Sequence, residues 1–322
     1  MGEVYLAHDA EHDRDVALKV PKISEGDDAQ LLARFNREVE HAAKVSHRNI
    51  CPILDKGQVG PYPYVAMGYI EGRPLTEFVN RVSPMDPRRA AEIVEKVALA
   101  MAEAHDKGII HRDLKPANIM IDKAGEPVIM DFGLARADSD DALTQPGDHL
   151  GTIPYMPPEA FKGDRLATGP HGDVYSLGVI LYELITGSRP YEGAIHLIIR
   201  AILDEKRQVQ PPSQLRQGLT PKLDAPCLKA LARQVKDRHS GMRAFAAELG
   251  AYLDGIDPKR TKPAGAGGAD PKAKPRPEVA TSQPGGTPTE PGSGNVVAWV
   301  ILGVAAAAIA ALVWYVLIRP AA

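Results

Sequence analysis

The chain is nearly without cysteine. Cys51 and Cys227 are the only two in 322 residues, and neither sits in a CxxC or a Cys/His cluster. That excludes a disulfide framework, and two reduced thiols in a reducing compartment are expected. A strong excess of one charge is also missing, since the net charge is −3. A protein held mainly by nucleic acid is far more basic, so no nucleic-acid partner is expected. The first twenty residues hold seven charges and no apolar run, which is not the composition of a secretory leader.

What is present divides into three regions. Residues 1–256 have globular composition. Near the start, Val4 and Leu6, then Val16, Leu18 and Val20, alternate with other residue types across a polar turn, which predicts two strands. "AAEIVEKVALAMAEAHDKG" sets Ile93, Val97, Ala100, Met101 and Ala104 at helical spacing, with Gly108 to stop the helix. "GDVYSLGVILYELITG" predicts a helix buried on most sides. Residues 257–295 change character: eight Pro and seven Gly fall within 257–294, with no apolar period. Such a segment buries too little to offset chain entropy and is expected to be a disordered linker.

Residues 296–318, "VVAWVILGVAAAAIAALVWYVLI", hold no charge. As a helix this run spans roughly 34 Å, enough for a bilayer core of about 30 Å. Trp299 near one end, Trp314 and Tyr315 near the other, and Arg319 beyond fit interfacial anchoring. One transmembrane helix is therefore expected, followed by a short tail, 319–322. Gly303 and Ala307 form a small-xxx-small pair compatible with a homodimer contact.

The chemistry lies in "IIHRDLKPANIMIDKAGEPVIMDFGLAR". His111-Arg112-Asp113 is followed by Lys115 and Asn118, and Asp131-Phe132-Gly133 follows Asp113 by 18 residues. The runs "NIMI" and "PVIM", separated by "DKAGE", predict a hairpin joining the two motifs. This segment resembles the catalytic loop and metal-binding loop of protein kinases, and the resemblance extends over residues 2 to about 254. It implies an α+β, bilobal protein kinase fold with a small β-rich lobe and a large helical lobe. It also implies transfer of the ATP γ-phosphate to protein serine or threonine hydroxyls. In-line transfer needs the phosphate held and its charge neutralised. Asn118 and Asp131 supply oxygen ligands suited to Mg²⁺. Asp113 would accept or orient the substrate proton, and Lys115 would offset developing charge.

The rest of the pattern is implied by the same resemblance. Lys19 of "VALK" matches the strand lysine on the α- and β-phosphates, with Ala17 in the adenine-pocket wall. Glu38, in "RFNREVEHAAKVSHRNI", would pair with Lys19 from a small-lobe helix, in preference to Glu40. Met67 would be the gatekeeper, the backbone of Gly68 and Ile70 would meet the adenine edge, and Met120 would lie beneath the ring. "LGTIPYMPPEAF" is similar to the end of an activation segment, with Pro157-Pro158-Glu159 where the family has Ala-Pro-Glu. Glu159 would pair with Arg238, and Asp173 would anchor the catalytic-loop backbone. Thr152 with Lys115 is similar to the serine/threonine subclass pattern. Arg112 beside Asp113 implies control by phosphorylation, with Ser139 and Thr144 as candidates.

Gly2 and Val4 match the last two named positions of the family's G-x-G-x-x-G-x-V loop, and Lys19 follows Gly2 by 17 residues. The expectation is a longer protein that supplies the first strand and two earlier glycines. The alternative is a real truncation that leaves a weak or inactive kinase-like scaffold. A small-molecule kinase is the other rival, and the "GTIPYMPPE" and "GDVYSLG" segments speak against it. Kinase domain, linker and span together resemble bacterial Hanks-type kinases. They imply a single-pass cell-membrane protein with a cytoplasmic kinase domain; many of that type carry an outer sensor domain, and none is expected here because only four residues follow the span.

Overall fold

A computed structural model of the chain describes residues 2–21, 29–60, 62–132, 151–161, 169–257, 259 and 261–263. Gly133, Ser139, Thr144 and the expected span at 296–318 lie outside the described residues. Among those described, no helix is long and apolar enough to cross a membrane. The chain divides into two compact units, whose described parts are residues 2–21 with 54–69, and residues 29–53 with 70–263.

The first unit is a sheet of order β1-β2-β4-β3, built from β1 (Glu3–Asp9), β2 (Arg14–Val20), β3 (Ile53–Val59) and β4 (Tyr62–Gly68). The alternating apolar residues at 4–20 form the antiparallel pair β1–β2, with Val4 opposite Lys19 and Leu6 opposite Ala17. On its other side β2 pairs with β4, which sets Ala17 opposite Met67 and Lys19 opposite Val65. Residues directly opposite share a face, as do residues two apart. Val4, Leu6, Ala17, Lys19, Val65 and Met67 therefore lie on one face. At Gly2 the backbone passes so near Val20 that an added Cβ would overlap its carbonyl oxygen.

The second unit is helical. Its core is formed mainly by α2 (Pro87–Asp106), α3 (Pro170–Thr186), α6 (Pro221–Ala230) and α7 (Met242–Ile256). Asp86 caps α2 by accepting from Arg89 N at 3.0 Å, and Pro87 occupies its first turn, where a missing N–H costs nothing. Gly108 ends it at φ 74°: its N–H reaches His105 O and that of Ile109 reaches Ala104 O, both at 2.9 Å. This double bond pattern needs a left-handed residue, which glycine supplies without strain. In α3, every residue from Gly172 to Ile185 is buried, which the apolar sequence requires. Two shorter helices, α4 (Ile195–Leu203) and α5 (Pro212–Leu215), complete the unit.

A small antiparallel sheet, β5 (Gly72–Pro74), β6 (Ile119–Asp122) and β7 (Pro127–Ile129), belongs to the same unit. β6 and β7 are the two runs of the expected hairpin. The helix carrying Glu38, α1 (Ala29–Ala42), was expected in the small lobe, but it groups with the helical unit. The residues after it explain this. Cys51 N donates to Ile129 O and Ile129 N to Asn49 O, both at 2.8 Å. The Asn49 amide adds a bond to Pro127 O at 2.6 Å, and Lys107 Nζ reaches Lys44 O at 2.7 Å. The chain leaving α1 is thereby fastened to β7 and to the end of α2.

Candidate active site

The loop between α2 and β6 is short, polar on its exposed side and anchored beneath. Leu114 and Pro116 are buried and hold the loop down. Asp113 and Lys115 lie in the loop, and Asn118 ends the short 3-10 turn Pro116–Asn118 that leads into β6. Lys115 Nζ lies 2.9 Å from Asp113 Oδ2 and 3.2 Å from Oδ1. Asn118 Nδ2 donates to the same Oδ2 at 3.1 Å and to Asp113 O at 2.8 Å. Lys115 Nζ also donates to Thr152 Oγ1 at 2.8 Å, and both side chains are buried. One carboxylate, one ammonium, one amide and one hydroxyl thus form a connected cluster from two separate segments.

Histidine 111 fixes the entrance to this loop. Asp113 N donates to its Nδ1 at 3.3 Å, and its Nε2 faces Met130 O at 3.0 Å. Those partners assign the proton to Nε2. The ring meets Phe132 edge-on, with centroids 5.0 Å apart. Below the loop, the buried Asp173 carboxylate accepts from His111 N and Arg112 N, both at 2.9 Å, and from His105 Nε2 at 2.8 Å. Burial pushes that carboxyl up, but the hydrogen bond from His105 and the electrostatic influence of the His105 and His111 rings outweigh it, leaving it below the ordinary aspartate value. The backbone anchoring expected of Asp173 is present. The His105 contact was not foreseen; its only local signal is a histidine at the end of a helix with a buried apolar face.

The expected metal pair comes from neighbouring segments. Met130 N donates to Asn118 O at 2.8 Å, so the residue before Asp131 is tied to Asn118. Asp131 itself has φ 56°, a left-handed conformation uncommon for a residue with a side chain and frequent at functional loops. The Asn118 amide nitrogen is engaged by Asp113. Oxygen donors from an acid and an amide suit Mg²⁺, which retains phosphate and water ligands for the rest of its shell. Among the described residues no group of three or more His, Cys, Asp or Glu forms a metal cage.

The segment carrying Thr152 is fastened at several points. Arg238 donates to both oxygens of Glu159 at 2.7 Å, and to His171 O at 3.0 Å and Ala232 O at 2.7 Å. The expected Glu159–Arg238 pair is therefore formed. Ser176 Oγ donates to Tyr155 O at 2.8 Å, and Tyr155 OH donates to Glu183 Oε2 at 2.6 Å. Burial pushes the Glu183 carboxyl up, against the opposing pull of Tyr155 and Arg189.

The remaining candidates are distributed over the two units. Val4, Ala17, Lys19 and Met67 share one sheet face, and Gly68 ends β4 opposite Val16. Gly2 begins the same sheet. Ile70, half-buried, falls in the helical unit, as do Glu38 on α1 and Met120 on β6, where Met120 stands opposite Pro74 and Val128. Lys19 and Glu38 thus belong to different units.

A polar loop of this composition is tied to a second carboxylate loop through a β-hairpin, the arrangement that the kinase resemblance implies. The family comparison agrees: residues 1–249 match the protein kinase domain. The chain belongs to the protein kinase family. It is 39% identical over 268 residues to the serine/threonine-protein kinase PknB of Mycobacterium tuberculosis, covering 81% of this chain and 42% of that protein. Similarity to PknB of Mycobacterium leprae is 39% over 267 residues, with 81% and 42% covered. A probable serine/threonine-protein kinase of Corynebacterium efficiens is 38% identical over 259 residues, covering 77% of this chain and 39% of that protein. The chain spans about two fifths of the length of these curated relatives.

Proposed function

We propose that the protein is a serine/threonine protein kinase of the bacterial Hanks type, transferring the γ-phosphate of Mg-ATP to protein hydroxyls and to itself. The observation that carries this reading is the Asp113–Lys115–Asn118–Thr152 cluster, in which a carboxylate and an ammonium lie 2.9 Å apart. Mg-ATP supplies the phosphoryl group, with its charge partly neutralised by the metal. Asp113 orients the substrate hydroxyl and receives its proton as the new O–P bond forms and the bond to the β-phosphate oxygen breaks. Lys115 offsets the charge developing on the transferred group. Asn118 and Asp131 would hold Mg²⁺. By the same resemblance Lys19 would hold the α- and β-phosphates and Glu38 would be its partner, while Thr152 positions Lys115. By the kinase resemblance, Gly2, Val4, Ala17, Met67, Gly68, Ile70 and Met120 are the proposed nucleotide-binding residues.

Residues 296–318 are proposed as a single membrane span with the kinase domain on the cytoplasmic side, where ATP is. Lys259, Arg260, Lys262, Lys272, Lys274 and Arg276 on that side agree with this orientation. A homodimer through the span is part of the same reading.

Incubation of the full chain with Mg-ATP and a generic protein tests the activity, read by phosphoamino-acid analysis. Phosphoserine and phosphothreonine are expected, and phosphate on tyrosine alone would contradict the subclass. Removing residues 295–322 is expected to shift the protein from the membrane to the soluble fraction, and unchanged fractionation would contradict the span.

A further inference from the structure

Behind the catalytic loop lies a relay that the loop motif does not contain. Asp173, 1% exposed, accepts from the backbone N–H groups of the two residues that precede Asp113. One of these, Arg112, has φ 63°, and its N–H is bonded to Asp173 Oδ1 at 2.9 Å. A non-glycine residue stays in that conformation only when its surroundings fix it. The Asp173 carboxylate is such a fixture, so whatever orients that carboxylate also orients the loop.

A side chain, that of His105, donates to it as well. Its Nε2 lies 2.8 Å from Oδ2, the oxygen that also accepts from His111 N, and its side chain is 9% exposed. Residue 105 stands in the last turn of α2, whose end is fixed by the Gly108 cap, so the ring has a firm base. A buried carboxylate needs every donor it has, because an ion removed from water is costly unless hydrogen-bonded. Of the influences that draw the Asp173 carboxyl below its ordinary value, the His105 hydrogen bond ranks first, ahead of the backbone bond from His111.

We propose that His105 is a positioning residue for phosphoryl transfer: its N–H fixes the Asp173 carboxylate, which fixes the His111–Arg112 backbone and thereby the place of Asp113. The inference rests on the kinase reading above. It predicts that loss of the His105 donor slows the chemical step without weakening nucleotide binding, since His105 touches neither phosphate nor adenine residues. A surface cavity of about 320 Å³ is lined in part by His105.

The test compares His105→Gln, whose amide nitrogen reaches the same position, with His105→Leu, which keeps bulk but has no donor. Steady-state kinetics with Mg-ATP and backbone hydrogen exchange across residues 109–114 are read on the full chain. The leucine variant is expected to lose about tenfold or more in kcat, with KM for ATP within about threefold of wild type. It should also exchange faster at His111 and Arg112, while the glutamine variant recovers most of both properties. If the leucine variant does not fold, His105→Ala replaces it in the same comparison. Wild-type kcat and exchange in the variant lacking the donor would overturn the proposal, as would glutamine behaving no better than leucine. A wild-type protein without phosphotransfer activity would instead refute the kinase reading, while the exchange comparison would still decide whether His105 holds the loop.

Discussion

Lys115 donates to Thr152 Oγ1 at 2.8 Å while its ammonium lies 2.9 Å from Asp113 Oδ2. One side chain thus joins the loop that carries Asp113 to the segment leading into Glu159. Both partners are buried, so removing either leaves a polar group without water to replace it.

Thr152→Ala is therefore expected to lower kcat by about tenfold or more, because a hydrogen bond to a charged group is lost inside the site. Thr152→Ser keeps the hydroxyl and should stay near wild type. Steady-state kinetics on the two variants check this, and equal rates would remove Thr152 from the machinery.

The Arg238–Glu159 pair predicts an effect on stability. The Arg238 side chain is fully buried, bonded twice to Glu159 and stacked 5.1 Å from the Tyr175 ring centroid. Replacing it by methionine leaves the half-buried carboxylate unpaired and is expected to cost about 3 kcal/mol. Urea unfolding measures the loss. Lysine at the same place should recover only part of it, since it cannot donate in two parallel bonds.

Glu183 sets a pH dependence with a definite sign. Burial raises its folded-state value above the ordinary glutamate value of 4.5. The folded protein then holds a proton that the unfolded chain has released, so this group's contribution to stability is full below 4.5. It is lost as pH rises through the folded value. Melting temperatures of wild type and Glu183→Gln, followed upward from pH 4.5, should shift in favour of the variant and then run parallel. A difference that does not change with pH would contradict the assignment.

The shared sheet face predicts which substitutions disturb nucleotide binding. Ala17 stands between Leu6 on β1 and Met67 on β4. If the proposed nucleotide pocket lies on this face, Ala17→Leu should weaken Mg-ATP binding by about tenfold, by filling space proposed for the base. Leu18→Val, one residue on and facing the other way, should leave it unchanged. Fluorescent-nucleotide titration distinguishes the two.

These contacts differ in how far they could be read from the chain. Asp113, Lys115 and Asn118 were legible because the site is contiguous there, and a polar loop between a helix and a hairpin keeps a fixed spacing. The β6–β7 hairpin and the buried α3 followed from their apolar patterns. Glu159–Arg238 could be named only through resemblance, because 79 residues separate the partners and neither has a local signature. His105 and the Tyr155–Glu183 bond were missed for the same reason: a buried side-chain contact leaves no periodicity in sequence. Strand β5 escaped because three residues, Gly72-Arg73-Pro74, carry no alternation. The grouping of α1 with the helical unit escaped because it depends on backbone bonds at residues 49 and 51 rather than on the helix itself.

The central claim is that Asp113 receives the proton of a protein hydroxyl during transfer from Mg-ATP. Labelled-phosphate incorporation by wild type and by Asp113→Asn, measured side by side on the folded full chain, tests it most directly. The account predicts incorporation on serine and threonine by the wild type and a loss of about a hundredfold or more in the variant. Equal incorporation by the two proteins would contradict it.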